Sequence, residues 1–137
     1  MKRAGTAKKT IMILALLLLP AAVRGGEVAD HLIGKKVTEP VTVQGGKLTI
    51  VSGNIFVNNK IIREHGDSRA AMLLLRTPAK GGRIVFHGNR LINRGVIAQE
   101  NGRAGSGMVV VHRTTGRRTT IYSSDNRFLN RGLVYKR

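Results

Sequence analysis

The chain contains no cysteine and no tryptophan, and its aromatic residues are three Phe and two Tyr. Without cysteine, neither disulfides nor thiolate metal sites can form, so packing and hydrogen bonds must hold the fold together. With so few aromatic rings, the side chains on which proteins stack sugars or unpaired bases are scarce. The sequence therefore predicts neither a sugar-stacking groove nor specific nucleic-acid recognition.

Acidic residues are also scarce, because 7 Asp and Glu stand against 24 Lys and Arg, for a formal net charge of +17 at pH 7. A small domain needs a net charge of only about 2–8 to remain soluble. The excess predicts a polyanionic partner, such as an anionic polysaccharide or a cell-envelope polymer. The alternative is a basic surface that serves only solvation.

The N-terminus has the layout of a secretory signal peptide. The first nine residues carry four basic side chains, residues 11–19 are wholly apolar, and small residues then lead to Val23-Arg24-Gly25-Gly26. The apolar run is too short to cross a bilayer core of roughly 30 Å. We predict that residues 1–25 are a cleaved signal peptide and that the mature protein is secreted or lies at the cell surface or in the periplasm. Cleavage after Ala22 and an uncleaved anchor are the alternatives.

Removal of that segment leaves most of the charge in place. Five of the basic residues lie before residue 26 and all of the acidic residues lie after it, so the mature chain keeps 19 basic and 7 acidic residues and a net charge of +12. This charge still exceeds what solubility requires. The prediction of a polyanionic partner therefore applies to the mature chain.

One phrase occurs three times, over residues 53–62, 88–97 and 125–134. Its leading asparagines are 35 and 37 residues apart. A period of roughly 20–50 residues built from strand-forming residues is typical of units stacked on one another. The sequence therefore predicts a repeat protein rather than a domain with a single central core.

Each unit is predicted to contain three short strands separated by corners. The strands are expected at 72–76, 83–87 and 95–99 in one unit and at 108–112, 119–123 and 132–136 in the next. We interpret residues 72–75 as a strand rather than a helix because their copy, residues 108–111, is rich in β-branched side chains. Polar loops at 64–69 and 100–107 account for the variable period.

These features predict an all-β fold, a short right-handed parallel β-helix (solenoid) of two to three coils over residues 41–137. Residues 26–40 are expected to be an irregular leader or cap. A small β-sandwich or β-roll is the alternative fold, and it would lack a stack of repeated corner residues.

Repeated asparagines are expected to build a corner. Side chains alternate along a strand, so an asparagine two residues from a core side chain also points inward. A buried amide needs partners, and stacked copies supply them. We predict a structural ladder of Asn58, Asn93 and Asn130, and we expect Gly95 and Gly132 to allow the bend through positive φ angles.

The runs 91–97 and 128–134, with Asn93-Arg94-Gly95 and Asn130-Arg131-Gly132 at their centres, resemble the Asn-x-Gly-x-Ile rhythm of right-handed β-helix proteins. These are autotransporter passengers, filamentous-haemagglutinin-type adhesins and the pectate-lyase-like superfamily. The resemblance covers residues 41–137 and implies a β-helix in an exported, adhesin-like surface protein. The chain departs from those long passengers in having fewer than three full coils.

Catalytic and metal-binding patterns are scarce. The resemblance to pectate-lyase-like proteins implies acidic calcium ligands and an Arg or Lys base, but the acidic residues here are scattered. The group Glu64-His65-Gly66-Asp67 is expected to be a solvated turn. We predict no catalytic residues, no metal site and no cofactor. A remnant or relative of a polysaccharide lyase or epimerase is an alternative, distinguished by turnover of uronate polymers with and without calcium.

Positive charge repeats at matched places in the phrase. Arg90 matches Arg127, and Arg94 matches Arg131. Stacked strands lie about 4.8 Å apart, so matched charges repel by about 1 kcal/mol even in water. A polyanion along the stack would offset this repulsion. The alternative is that the long side chains spread apart into solvent, which makes the repulsion negligible.

We therefore predict a non-enzymatic, adhesin-like surface protein that binds an anionic glycan or envelope polymer through these arginines. Basic residues of the turns are expected to extend the same face, namely Lys80, Arg83, Arg113, Arg117 and Arg118. A structural subunit that stacks on itself is a further alternative, because residues 134–137 leave the last coil uncapped and open strand edges invite pairing.

Overall fold

A computed structural model describes residues 21–23, 26–29, 31–114 and 116–137, and within these ranges the chain forms strands and turns but no helix. The part of the chain so described therefore holds no helix long and apolar enough to cross a membrane. Most of the predicted signal peptide lies outside the described residues. The strands in these ranges are β1 (Ala21–Val23), β2 (Gly26–Ala29), β3 (His31–Ile33), β4 (Lys35–Val37), β5 (Val41–Gln44), β6 (Leu48–Ser52), β7 (Ile55–Asn58), β8 (Ile61–His65), β9 (Ala70–Arg76), β10 (Gly82–His87), β11 (Arg90–Asn93), β12 (Val96–Glu100), β13 (Ser106–His112), β14 (Thr119–Ser124), β15 (Arg127–Asn130) and β16 (Leu133–Lys136).

The strands form four sheets in which every pairing is parallel. Sheet A contains β1, β4, β7, β11 and β15; sheet B contains β2, β5, β9 and β13; sheet C contains β3, β6, β10 and β14; sheet D contains β8, β12 and β16. The chain passes through B, C and A in turn, and from β8 onward it adds D to each pass. The prediction of an all-β, parallel structure is confirmed.

The later passes differ from the predicted unit in having four strands instead of three. The additional strands are β11 and β15, in the part of the phrase expected to form a corner. Leu91 of β11 is fully buried while Ile92 is half-buried, so this segment alternates as a strand does. The chain therefore turns only at the residues that precede and follow this strand.

Residues 26–40, expected to be an irregular leader or cap, contain β2, β3 and β4. These strands pair with β5, β6 and β7. The pass is short because no strand of sheet D intervenes, and Lys36 lies beside Ile55, only 19 residues later. The period of 35–37 residues does not extend to residues 26–40, because a pass without a strand of sheet D is shorter.

The variation in the period comes from two separate places. Paired residues are 35 apart between β8 and β12, 36 apart between β9 and β13, and 37 apart between β10 and β14. One residue is therefore added in the loop that leads from sheet D to sheet B, and one in the turn from sheet B to sheet C. The predicted loops at 64–69 and 100–107 therefore explain one of the two residues by which the period lengthens, and the turn from sheet B to sheet C explains the other.

The core is a set of columns that run through the stack. On sheet A the inward column is Val37, Phe56 and Leu91, each at most 2% exposed. Comparable columns from the other sheets include Val43 with Leu75, and Ile62 with Ile97. Burial of each apolar side chain stabilises the fold by roughly 1.5–3 kcal/mol, so these columns can hold the fold together without disulfides.

Gly95 and Gly132 do not have positive φ angles, so the prediction for them is wrong. They are glycines because of close approach: a Cβ at Gly95 would clash with the carbonyl oxygen of Lys60, and one at Gly132 with that of Gly95. The left-handed corner lies earlier in the phrase, at Gly53, Gly88 and Asp125, with φ angles of 66°, 66° and 54°.

Candidate functional site

The four predicted arginines of the phrase come together on sheet A. Arg90 and Arg127 are direct partners in the register of β11 and β15. Arg94 and Arg131 follow these strands by one residue, and their backbone N–H groups donate to Asn58 and Asn93 in the pass before. All four residues are exposed. We call this set, Arg90, Arg94, Arg127 and Arg131, the arginine face.

The alternation of strand side chains explains why these arginines face solvent. Leu91 and Asn93 are buried, so the positions on either side of them point outward. Adjacent parallel strands lie about 4.8 Å apart, which sets the separation of the two arginine rows. The arrangement presents a small two-dimensional array of guanidinium groups.

Among the described residues the arginine face has no acidic partner. None of its four members forms an ion pair within the described part of the chain, whereas Lys60 pairs with Glu39 at 2.6 Å. The positive charge on sheet A is therefore not neutralised by those acidic side chains. Each guanidinium keeps its donors available for an external anion.

Sheet D contrasts with this surface. Glu100 accepts a hydrogen bond from Arg137 at 3.1 Å, its carboxylate lies 3.7 Å from Arg63, and its side chain is 16% exposed. The hydrogen bond from Arg137 lowers the pKa of Glu100, and the charges of Arg63 and Arg137 act in the same direction against its desolvation. Arg63 of β8 and Arg137, which follows β16, thus share an acidic partner.

The basic turn residues lie elsewhere. Lys80, Arg117 and Arg118 belong to the turns from sheet B to sheet C, Arg113 begins the later of these turns, and Arg83 lies near the start of β10. The six-residue strand β10 separates these turns from β11, a distance of roughly 20 Å. The structure therefore divides the nine predicted residues between two surfaces. We call the second set, Lys80, Arg83, Arg113, Arg117 and Arg118, the corner surface.

Lys47 belongs with the corner surface and was missed by the sequence reasoning. It lines one depression with Lys80 and another with Arg83. The backbone N–H of Arg83 donates to the carbonyl oxygen of Lys47 at 3.0 Å. The repeat of Gly45-Gly46-Lys47 in Gly81-Gly82-Arg83 could have indicated this residue.

The asparagines of the predicted ladder lie one above another. Asn58 Nδ2 donates to Asn93 Oδ1, and Asn93 Nδ2 donates to Asn130 Oδ1, both at 2.9 Å. Asn93 also accepts a bond from the N–H of Gly95 and donates to the carbonyl oxygen of Leu133. The ladder thereby fixes the corner from which Arg94 and Arg131 project.

A second ladder lies at the other end of the sheet A strands. Asn54 Nδ2 donates to Asn89 Oδ1, and Asn89 Nδ2 donates to Asn126 Oδ1, again at 2.9 Å. Asn54 and Asn89 are fully buried. The sequence marked these residues by their period but not as a ladder. The two ladders hold both ends of each arginine-bearing strand.

Other chemistry has little support in the described residues, which contain no group of three or more His, Asp or Glu side chains able to hold a metal ion. Comparison of the chain with protein-family models, with curated proteins and with solved structures finds no match. The arginine face and its surroundings therefore form the candidate functional site.

Proposed function

We propose that this chain is a short right-handed parallel β-helix of an exported surface protein and that its arginine face binds an anionic glycan or another polyanion of a cell envelope. The parallel sheets and the repeated passes support the β-helix. The basic and apolar N-terminal segment supports export. The net charge supports a polyanionic ligand.

A single observation carries the proposal: Arg90 and Arg127 are stacked in register, with Arg94 and Arg131 beside them, and none has an acidic partner among the described residues. Like charges at strand spacing repel, and an anion placed between them removes that repulsion. Guanidinium groups also bind carboxylate and sulfate or phosphate oxygens through two parallel hydrogen bonds. An extended polyanion can contact both rows at once.

Replacing all four residues of the arginine face by glutamine is expected to abolish retention on heparin-like and lipopolysaccharide matrices at moderate salt. The wild-type protein is expected to elute steeply with salt, and loss of four contacts should reduce the slope of log K against log salt by about 3. Salt-gradient chromatography and titration at several salt concentrations measure both quantities.

The corner surface provides a matched control with the same loss of charge. A variant with Lys80, Arg113, Arg117 and Arg118 replaced by glutamine also removes four positive charges and is expected to keep most of the retention. Unchanged retention of the arginine-face variant would refute the proposal. Equal losses in both variants would mean that net charge, and not the arginine face, determines binding.

A second candidate function is end-to-end assembly of copies of this chain. The last pass, β13 to β16, forms the edge of all four sheets. Phe128 lies in register with the fully buried Leu91, yet it is 54% exposed because no strand of the described residues covers it. An uncovered apolar position beside unpaired strand edges favours pairing with another chain. A second copy would extend both the core column and the Asn130 end of the ladder.

Light scattering over a range of concentrations tests this assembly. We expect the average mass to rise with concentration, and the variant Phe128→Lys to remain monomeric because burial of a lysine charge without a partner would oppose the contact. Leu48→Lys, an equally large change at a side chain 48% exposed on sheet C, is the control and is expected to assemble normally. A constant monomeric mass for the wild-type protein would exclude the assembly.

A further inference from the structure

The side chains between the arginines are aliphatic. Alternate residues run along the outward side of the sheet A strands and around the corner onto sheet D. In the last two passes these outward positions are Arg90, Ile92, Arg94 and Val96, and Arg127, Leu129, Arg131 and Leu133. Every row of arginines therefore has a row of aliphatic side chains beside it.

The pass below continues the aliphatic rows without the charge. Its matching positions hold Ile55, Val57 and Ile61, which pair with Arg90, Ile92 and Val96 respectively, and the exposed Asn59 at the place of Arg94. Ile61 is 62% exposed. At these positions the surface thus changes along the stack, from uncharged and mainly aliphatic at the pass that contains β7 to mixed basic and aliphatic at the passes that contain β11 and β15.

Three of these aliphatic side chains are exposed in the described part of the chain, Ile61 at 62%, Leu129 at 44% and Leu133 at 60%, while Ile92 and Val96 are half-buried. Contiguous exposed apolar side chains mark interaction surfaces more often than inert ones. A fully hydrated polyanion would satisfy the arginines but would leave the aliphatic rows in water. An anionic lipid surface offers phosphate groups for the guanidinium groups and an apolar boundary for the aliphatic side chains.

We propose that the arginine face together with the aliphatic residues Ile61, Ile92, Val96, Leu129 and Leu133 docks on an anionic lipid surface. The inference rests on the proposed polyanion binding and specifies its ligand as an amphiphile. Charge complementarity orients the contact, because the arginines lie in the same plane as the aliphatic rows. The apolar contribution adds to the electrostatic one, and the two can be removed separately.

Cosedimentation with vesicles tests the inference. Probes are vesicles of phosphatidylcholine with phosphatidylglycerol, vesicles of phosphatidylcholine alone, and a heparin matrix. The wild-type protein is expected to bind the anionic vesicles and the heparin matrix but not the neutral vesicles. The double variant Leu129→Thr/Leu133→Thr is expected to bind anionic vesicles about tenfold more weakly and heparin unchanged, because threonine keeps the strand and removes apolar area.

A double variant on sheet C, Ile33→Thr/Leu48→Thr, is the matched control, since these side chains are 52% and 48% exposed and lie away from the arginine face. It is expected to bind all probes as the wild type does. Failure of the wild type to bind anionic vesicles, or equal weakening by both double variants, would overturn the lipid inference while leaving polyanion binding in place. Loss of heparin retention in the wild type would instead overturn the proposed function.

Discussion

Replacing Asn93 by alanine is expected to destabilise the protein by about 3–5 kcal/mol, the largest effect of any polar substitution proposed for this chain. Asn93 is fully buried, and its side chain takes part in four hydrogen bonds, with Asn58, Gly95, Asn130 and Leu133. Alanine removes both the donor and the acceptor of the amide. The buried amide of Asn58 then loses its acceptor without gaining water, and the partly buried N–H of Gly95 and carbonyl oxygen of Leu133 each lose a hydrogen bond.

Chemical denaturation followed by circular dichroism measures this loss. Asn59→Ala is the nearest control, because Asn59 is exposed in the neighbouring pass and is expected to change stability by less than about 0.5 kcal/mol. Asn130→Ala is expected to fall between the two, since Asn130 is exposed at the end of the ladder. A cost for Asn93→Ala no greater than that for Asn59→Ala would show that the ladder does not stabilise the stack.

The second large effect is expected for Gly95→Ala, which should destabilise by about 3 kcal/mol or more. The added methyl group would meet the carbonyl oxygen of Lys60, a backbone atom that cannot rotate away. Relief requires the pass containing β8 and the pass containing β12 to separate locally. The N–H of Val96, which donates to the same oxygen at 3.0 Å, would then weaken its hydrogen bond.

Gly105→Ala is the control for this substitution. A Cβ at Gly105 would meet no atom within 4 Å, and its φ angle is not positive. We expect this variant to unfold at the wild-type temperature or slightly above it, because alanine restricts the unfolded chain. Equal melting temperatures for the two variants would contradict the close approach at Gly95.

The two predictions also bear on the arginine face. Asn93 and Gly95 flank Arg94, and their hydrogen bond fixes the backbone from which the Arg94 side chain extends. Loosening this corner should weaken polyanion retention even though no charge is removed. Stability and binding are therefore coupled at this corner, and binding should be compared only under conditions in which each variant is folded.

Much of the strand pattern could be read from the sequence. The period of 35–37 residues between Asn54, Asn89 and Asn126 established which residues lie in equivalent places. It also identified residues 72–75 as a strand by comparison with their β-branched copy, a segment that forms part of β9. A repeat indicates equivalence directly, because each copy must satisfy the same backbone constraints in the same surroundings.

Predictions from the sequence were wrong where the role of a residue depends on its contact with an adjacent pass. Gly95 seemed to need a positive φ angle, but contact with Lys60 explains it. Residues 90–93 seemed to be a corner, but their pairing with β7 and β15 makes them a strand. Both depend on contacts between residues more than thirty positions apart, which local patterns do not contain.

The division of the basic residues shows the same limit. From sequence, Arg83 and Arg90 are only seven residues apart, and one continuous face was expected. In the fold most of strand β10 and the left-handed corner at Gly88 lie between them, so they face different directions.

By itself the sequence determined the charge, the absence of disulfides, the repeat and the stacking of the asparagines, because these depend on composition and on equivalence between copies. Only the tertiary structure decided the four strands per later pass, the short early passes, and the separation of the arginine face from the corner surface. The physical reason is that parallel pairing joins residues of successive passes. The direction in which each side chain leaves the stack is therefore set by the register of the sheets and not by distance along the chain.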